Sequence, residues 1–286
     1  MISAAFGIVM AFASFAHSAG PDVGDKYGAA GTPTPFGGRE PSFDAKAQSA
    51  QTQRKVHCAT CGAWYVPPMA IAPDGGFYTL WIDRSAGAPD ETLYLRKMKP
   101  DGTDQWTKFV PLYSVRRRAE VSEAIRDPDI VPDSRGGVIV SWAARDENDY
   151  NLYAQRIDDT GATRWEKPAL KLCTAPKDQV HVKLMVDVLG GAFAGWQDQR
   201  FGNWNVFLQH IMPAGNLDPN WNATGVQLTS QARNQYLTTL ASDGLGGIWA
   251  TWWDERSGRS DLFSVHVDKT TGQLTTKNPY LWRQFQ

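Results

Sequence analysis

A glycine pair followed by a short apolar run ending in tryptophan occurs four times in this chain, and no other feature constrains the fold as strongly. The copies are Gly75-Gly76-Phe77-Tyr78-Thr79-Leu80-Trp81, Gly136-Gly137-Val138-Ile139-Val140-Ser141-Trp142, Gly190-Gly191-Ala192-Phe193-Ala194-Gly195-Trp196 and Gly246-Gly247-Ile248-Trp249-Ala250-Thr251-Trp252. Their tryptophans recur at intervals of about 55–60 residues, at the long end of the periods of blade-repeat architectures. An aspartate stands just upstream each time, at Asp74, Asp133, Asp187 and Asp243. Aspartate with Gly-Gly supplies the positive φ and the side-chain hydrogen bonds of a tight hairpin turn.

About ten residues after each tryptophan comes a second extended segment, at 93–98, 152–157, 206–211 and 262–267. Its columns agree in chemistry: aliphatic, aromatic, small or aliphatic, usually polar, basic, aliphatic. Residues two apart share a strand face, so the aromatic and the last aliphatic point together and the basic residue points the other way. A turn follows with Gly102, Gly161, Gly215 or Gly272, and in the first three copies Trp106, Trp165 and Trp221 open a third segment. The apolar stretches before the glycine pairs, such as Met69-Ala70-Ile71 and Leu237-Thr238-Thr239-Leu240, supply another strand. One such sheet leaves both faces half apolar, so the units must cover one another; arranged radially, they form a propeller. The expected fold is therefore all-β, a β-propeller of four four-stranded antiparallel blades, with a partial fifth left open.

The unit resembles the tandem repeats of secreted bacterial β-propeller-like proteins, with the pattern Gly-Gly, Trp-x-Asp-x-Arg, Tyr-Ala-Gln-Arg, Gly, Trp. Trp196-Gln197-Asp198-Gln199-Arg200, Trp252-Trp253-Asp254-Glu255-Arg256 and Tyr153-Ala154-Gln155-Arg156 match it. The first copy shortens the loop to Trp81-Ile82-Asp83-Arg84, and the second has Ala144 in place of the aspartate while keeping Arg145. The resemblance spans roughly residues 69 to 274; it implies the fold and little about activity.

A formal net charge of −1 removes the bulk electrostatic case for nucleic acid or an anionic membrane. The one basic run, Arg116-Arg117-Arg118, is followed by Glu120 and Glu123 and reads as a solvated loop. Residues 1–19 read as a secretory signal: Ala4 to Phe15 is apolar, and Ala16-His17-Ser18 offers a small-x-small cleavage site, although no Lys or Arg precedes the stretch. It is short for a membrane span of about 20 residues, and no second such segment follows. Residues 20–55, dominated by Gly, Pro, Ala, Ser, Thr and Gln, read as a flexible leader, with the repeat domain over 56–286. The expected location is secreted, periplasmic or at the cell surface.

The Asp and Arg after each repeated tryptophan lie on the loop between the second and third strands, which opens on one rim. Arg84, Arg145, Arg200 and Arg256 either ring a shallow anionic or glycan site or serve as braces paired with their own blade's aspartate; recurrence in every unit favours the brace. Trp204 and Trp253 fall outside the repeated columns and are candidates for stacking on sugars or anchoring a partner. His57-Cys58-Ala59-Thr60-Cys61-Gly62 lacks the histidine that covalent haem attachment requires after the second cysteine, and no second pair completes a four-ligand zinc site. A disulfide is expected there, with Cys173 buried and free or paired to one of the two. Asp158 to Trp165 is similar to the tryptophan-docking motif of quinoprotein propellers, which is a blade brace. No cofactor or metal is expected. His57, His181, His210 and His266 are scattered, and no nucleophile–base arrangement stands out.

With no catalytic set in view, the first expectation is an exported, non-enzymatic binding or scaffold module whose rim contacts a protein or glycan. The alternative is a secreted propeller-type glycan hydrolase or lyase in which Asp83, Asp198 and Asp254 converge, because glycoside hydrolysis requires two carboxyl groups flanking one bond. Oligomeric state is left open.

Overall fold

The computed structural model of the protein describes residues 68–85, 87–118, 123–146, 148–165, 168–275 and 280–282. The signal, the leader, the segment from His57 to Gly62 and Trp64-Tyr65-Val66, a stretch whose sequence suits a strand closing the last blade, lie outside them. The described residues form four sheets, each a four-stranded antiparallel meander in sequence order. Blade 1 comprises β1 (Met69–Ile71), β2 (Phe77–Asp83), β3 (Asp90–Met98) and β4 (Val110–Arg116). Blade 2 comprises β5 (Ile125–Pro132), β6 (Val138–Asp146), β7 (Asp149–Ile157) and β8 (Leu170–Cys173). Blade 3 comprises β9 (Gln179–Val186), β10 (Ala192–Asp198), β11 (Asn205–Ile211) and β12 (Val226–Gln227). Blade 4 comprises β13 (Gln235–Ser242), β14 (Ile248–Asp254), β15 (Asp261–Val267) and β16 (Tyr280–Trp282). The outer position of blade 4 is filled by β16 from its own unit.

The paired glycines turn each first strand into the second, and each glycine answers a different need. The first has φ of 81°, 94°, 95° and 102° at Gly75, Gly136, Gly190 and Gly246, a region that costs other residues dearly. The second lies against the neighbouring strand: a Cβ on Gly76, Gly137 or Gly191 would stand 2.2 Å from the carbonyl oxygen of Met98, Ile157 or Ile211. The turn aspartate then caps the hairpin, accepting the N–H of Gly76 at 3.0 Å (Asp74), of Gly137 at 2.8 Å (Asp133) and of Gly247 at 2.8 Å (Asp243). The basic column of the third strand locks the same aspartate. Lys97 meets Asp74 at 2.9 Å, Arg156 meets Asp133 at 2.7 Å and His266 meets Asp243 at 2.9 Å. His210 lies 3.5 Å from Asp187 and bonds Asp218 at 2.8 Å.

Alternation along the strands gives every blade two unlike faces. Tyr78, Leu80 and Ile82 of blade 1 meet Val138, Val140, Trp142 and Tyr153 of blade 2. Ile139, Ala143, Leu152 and Ala154 of blade 2 meet Ala192, Ala194, Trp196 and Phe207 of blade 3. Phe193, Val206 and Leu208 of blade 3 meet Ile248, Ala250, Trp252 and Phe263 of blade 4. Each joint therefore lays the plain face of one blade on the tryptophan face of the next. Trp142, Trp196 and Trp252 are fully buried. Burying an indole removes roughly 150–250 Å² from water, worth about 4–6 kcal/mol before ordering entropy is set against it.

A second tryptophan fastens each joint like a tongue. The Nε1–H of Trp106 donates to Asp159 O at 3.0 Å, that of Trp165 to Pro213 O at 3.2 Å and that of Trp221 to Lys269 O at 3.0 Å. The indoles lie over Gly161, Gly215 and Gly272, the turn glycines of the following blade. First strands of successive blades touch one another, β1 with β5, β5 with β9 and β9 with β13, so they are the innermost strands.

Candidate functional site

The rim loops are built as braces. Asp198 is fully buried and accepts Trp196 Nε1–H at 2.9 Å, Arg200 N–H at 2.9 Å, Arg200 Nε at 2.8 Å and Arg200 Nη2 at 2.6 Å. Asp254 accepts Trp252 Nε1–H at 3.0 Å, Arg256 N–H at 2.9 Å and Arg256 Nη2 at 2.5 Å. Each guanidinium also covers the aromatic ring of its own third strand, Arg200 over Phe207 at 4.1 Å and Arg256 over Phe263 at 4.3 Å. In the shortened first loop, Asp83 accepts Ser85 N–H at 3.0 Å. Arg84 reaches Glu91 at 3.2 Å and donates to Ile125 O of the next blade. Asp83, Asp198 and Asp254 are thus each engaged within their own loop rather than converging.

Blade 2 departs from this scheme. Ala144 offers no acceptor, and Trp142 Nε1–H is buried without a partner. Arg145 turns to the Tyr150 ring at 5.1 Å and, with Arg118, Asn148, Asp149, Asn151 and Thr174, lines a cleft of about 600 Å³. Of the two unrepeated tryptophans, Trp204 packs against the blade 2–blade 3 core, and its N–H donates to Asn234 Oδ1 at 3.1 Å. Trp253 is 44% exposed. Cys173 is free and buried beside Arg200 Nη2 at 3.2 Å, and burial pushes its thiol up.

The innermost strands carry a different set. Each of β5, β9 and β13 shifts register opposite its blade's repeated tryptophan, at Asp127-Pro128, His181-Val182 and Leu237-Thr238. A bulge of this kind re-aims side chains. Asp127 and His181 hold φ of 50° and 53°, conformations that cost non-glycine residues about 1–3 kcal/mol and cluster at functional sites. These two residues occupy equivalent positions in adjacent blades and meet: His181 Nδ1 lies 3.2 Å from Asp127 Oδ1, and the His181 N–H donates to Asp127 Oδ2 at 3.1 Å. Arg126 Nε contacts Asp127 Oδ2 at 2.9 Å. Two residues on, Asp129 accepts the Leu184 N–H of β9 at 2.8 Å. Arg126 covers the other reach of Tyr150, 5.4 Å from the ring centroid, so this cluster connects through Tyr150 to Arg145 and its cleft.

The two carboxylates are driven apart electrostatically. Burial alone would raise Asp127, but the hydrogen bond and charge of His181 and the charge of Arg126 outweigh it and hold the carboxyl below its usual range. Burial pushes Asp129 up, offset only in part by the Leu184 N–H and the Lys183 charge. The two shifts run in opposite directions, the pattern expected of an acid and its ionised partner. Asp127 and His181 remain reachable, with side chains 20% and 44% exposed.

Reasoning from the repeat passed over these residues because it attends to columns that agree. Asp127 and Asp129 stand where blade 3 has His181 and Lys183 and blade 4 has Leu237 and Thr239. Two carboxylates departing from their columns were the available signal.

No family model matches the chain, and no curated protein matches it. Among solved structures, it is similar to the α-L-arabinofuranosidase Arb93A of Fusarium graminearum in complex with an iminosugar inhibitor, at 13% identity and a TM-score of 0.50 over 76% of this chain and 66% of that one. It is also similar to an α-L-arabinanase of Penicillium chrysogenum complexed with arabinobiose, at 11% identity and a TM-score of 0.46 over 75% and 66% of the two chains. The chain thus spans 66% of the length of these enzymes. The likeness to the arabinofuranosidase shows the fold, a β-propeller. The expectation of a non-enzymatic binding or scaffold module is corrected: the solved propeller that this chain resembles is a glycoside hydrolase, the α-L-arabinofuranosidase, which favours the alternative reading.

Proposed function

We propose that this propeller cleaves glycans outside the cytoplasm, as a hydrolase or lyase, with Asp127 and Asp129 as its working carboxylates. The observation that carries the reading is the bulged inner-strand cluster: two unrepeated carboxylates and a histidine from adjacent blades, with Asp127 and His181 held at strained backbone positions. Asp129, whose carboxyl is pushed up by burial, would protonate a departing glycosidic oxygen. Asp127, which stays ionised, supplies the opposing charge or accepts a proton from the attacking water or from sugar carbon. The cleft bearing Arg118, Arg145, Asn148 and Asn151 offers donors to sugar hydroxyls further along the chain. The propeller fold shared with an α-L-arabinofuranosidase, and the secretory signal that residues 1–19 read as, support the same reading.

The test is depolymerisation of a panel of arabinans, other neutral glycans and uronate polymers by the purified chain. New reducing ends report hydrolysis, and unsaturated products report elimination. Asp127→Asn and Asp129→Asn should each lower the rate by about 10²–10⁴-fold, the usual worth of a positioned acid or base. Folded variants that cleave at the parent rate, or a parent that cleaves no member of the panel, would overturn the proposal.

A further inference from the structure

The rim-loop arginines share a position but not a partner. Arg200 and Arg256 each close on the aspartate two residues before them, at 2.6 Å and 2.5 Å. Arg84, on the shortened first loop, closes instead on the fully buried Glu91 of β3, at 3.2 Å. Blade 2 has replaced both acceptors. Ala144 stands in the aspartate column, and the Trp142 Nε1–H beside it is left buried without a partner. Trp81 pairs with Tyr94 and Trp142 with Tyr153, so Tyr150 holds the place of Glu91, three residues ahead of the strand's aromatic. Arg145 therefore meets a phenol ring, 5.1 Å from its centroid, where Arg84 meets a carboxylate. Among the described residues, Arg145 is the rim-loop arginine that forms no ion pair.

Its guanidinium is half-buried and lines the cleft of about 600 Å³ together with Arg118, Asn148 and Asn151. Asp149 also lines the cleft, and its Oδ2 is occupied by the Lys177 N–H at 3.0 Å. A guanidinium held partly out of water is stabilised by an acid, and its planar fork matches a carboxylate through two parallel hydrogen bonds. The Tyr150 ring joins this place to the cleavage cluster, because Arg126, ion-paired to Asp127, lies 5.4 Å from the same ring centroid.

We infer that the cleft takes the carboxylate of a uronic acid unit, held by Arg145, and that the substrate is an acidic glycan. The inference rests on the reading of Asp127 and Asp129 as a glycan-cleaving pair and adds the class of sugar beside the bond that is cut. A neutral sugar offers Arg145 only hydroxyl acceptors, whereas a carboxylate gives charge-assisted bonds roughly twice as strong. The amides of Asn148 and Asn151 remain for ring hydroxyls.

The test is calorimetry with short oligomers of galacturonate and mannuronate, the same oligomers with their carboxyl groups reduced to alcohols, and an O-sulfated neutral oligomer. Asp129→Asn serves as the background, so that bound oligomer is not consumed, and thermal shifts of the parent repeat the comparison without any substitution. A uronate oligomer should bind about 10–100-fold tighter than its reduced counterpart, and added salt should shrink the difference. Arg145→Gln should erase that preference and leave affinity for the reduced oligomer unchanged. Equal binding of acidic and reduced oligomers, a preference that survives Arg145→Gln, or tighter binding of the sulfated oligomer than of either uronate would overturn the inference. Uronate preference with no cleavage of any glycan would uphold the subsite and sink the cleavage reading; cleavage of a neutral glycan with no uronate preference would do the reverse.

Discussion

Removing the carboxylate of Asp198 tests whether the rim loops are braces. Asp198→Ala deletes a hydrogen bond from the Trp196 indole, three from Arg200, whose side chain is only 11% exposed, and a long one from the Cys173 thiol. Breaking one side of a buried ion pair costs about 3–5 kcal/mol, mainly because the remaining charge stays buried. Arg200 keeps its bond to Thr224 O at 3.0 Å and its place over the Phe207 ring, which puts the expected loss near 3 kcal/mol. For a domain of this size that is a fall of about 6–12 °C in Tm. The orphaned indole adds little, since Trp142 already sits buried without an acceptor in blade 2. The measurement is urea unfolding with and without Arg200→Met in the same background. The double variant should recover most of the loss, because no charge is left stranded. Asp254→Ala should cost less, because Arg256 is 28% exposed. A loss below about 1 kcal/mol, or a double variant no more stable than Asp198→Ala alone, would refute the brace.

Two further outcomes follow from the turns. Gly137→Ala would press a methyl to 2.2 Å from the Ile157 carbonyl oxygen, whereas Gly102→Ala meets only a φ of 80° in open space. The first should destabilise by about 3 kcal/mol and the second by about 1 kcal/mol, read from denaturant midpoints; equal losses would contradict the geometry. Acid should weaken the fold through the locked turns. The His266 hydrogen bond holds Asp243 below the usual carboxylate range, and hydrogen bonds from Thr160, Ala162 and Arg164, outweighing burial, hold Asp158 to about 2. A depressed carboxylate contributes stability above its unfolded pKa that is lost as pH falls through its folded one. Unfolding midpoints should therefore hold down to about pH 4 and decline toward pH 2, less steeply in His266→Gln. A decline beginning near pH 6 would point to other groups.

The fold was legible because repetition averages out local accident. Four copies of Gly-Gly and tryptophan specify the hairpins, and the shared column of Lys97, Arg156, His210 and His266 anticipates a common duty, which in blades 1, 2 and 4 is the lock on the turn aspartate. The brace role favoured for Arg200 and Arg256 was also readable, since each sits within four residues of its partner. The inner-strand cluster was not. Asp127 and His181 are far apart in sequence, and only the register shifts bring them to equivalent bulges on strands that touch.

Among the described residues, every sheet is assembled from one stretch of chain, with no strand lent to another blade. Most pairings therefore form between residues close in sequence, which lowers the loop-closure entropy that slows many all-β proteins. A nascent chain can complete its first meander before the second has been synthesised, each finished unit offering a template for the one emerging behind it. Stability then accrues as a sum over neighbours, and damage to one unit stays largely with that unit and those it touches.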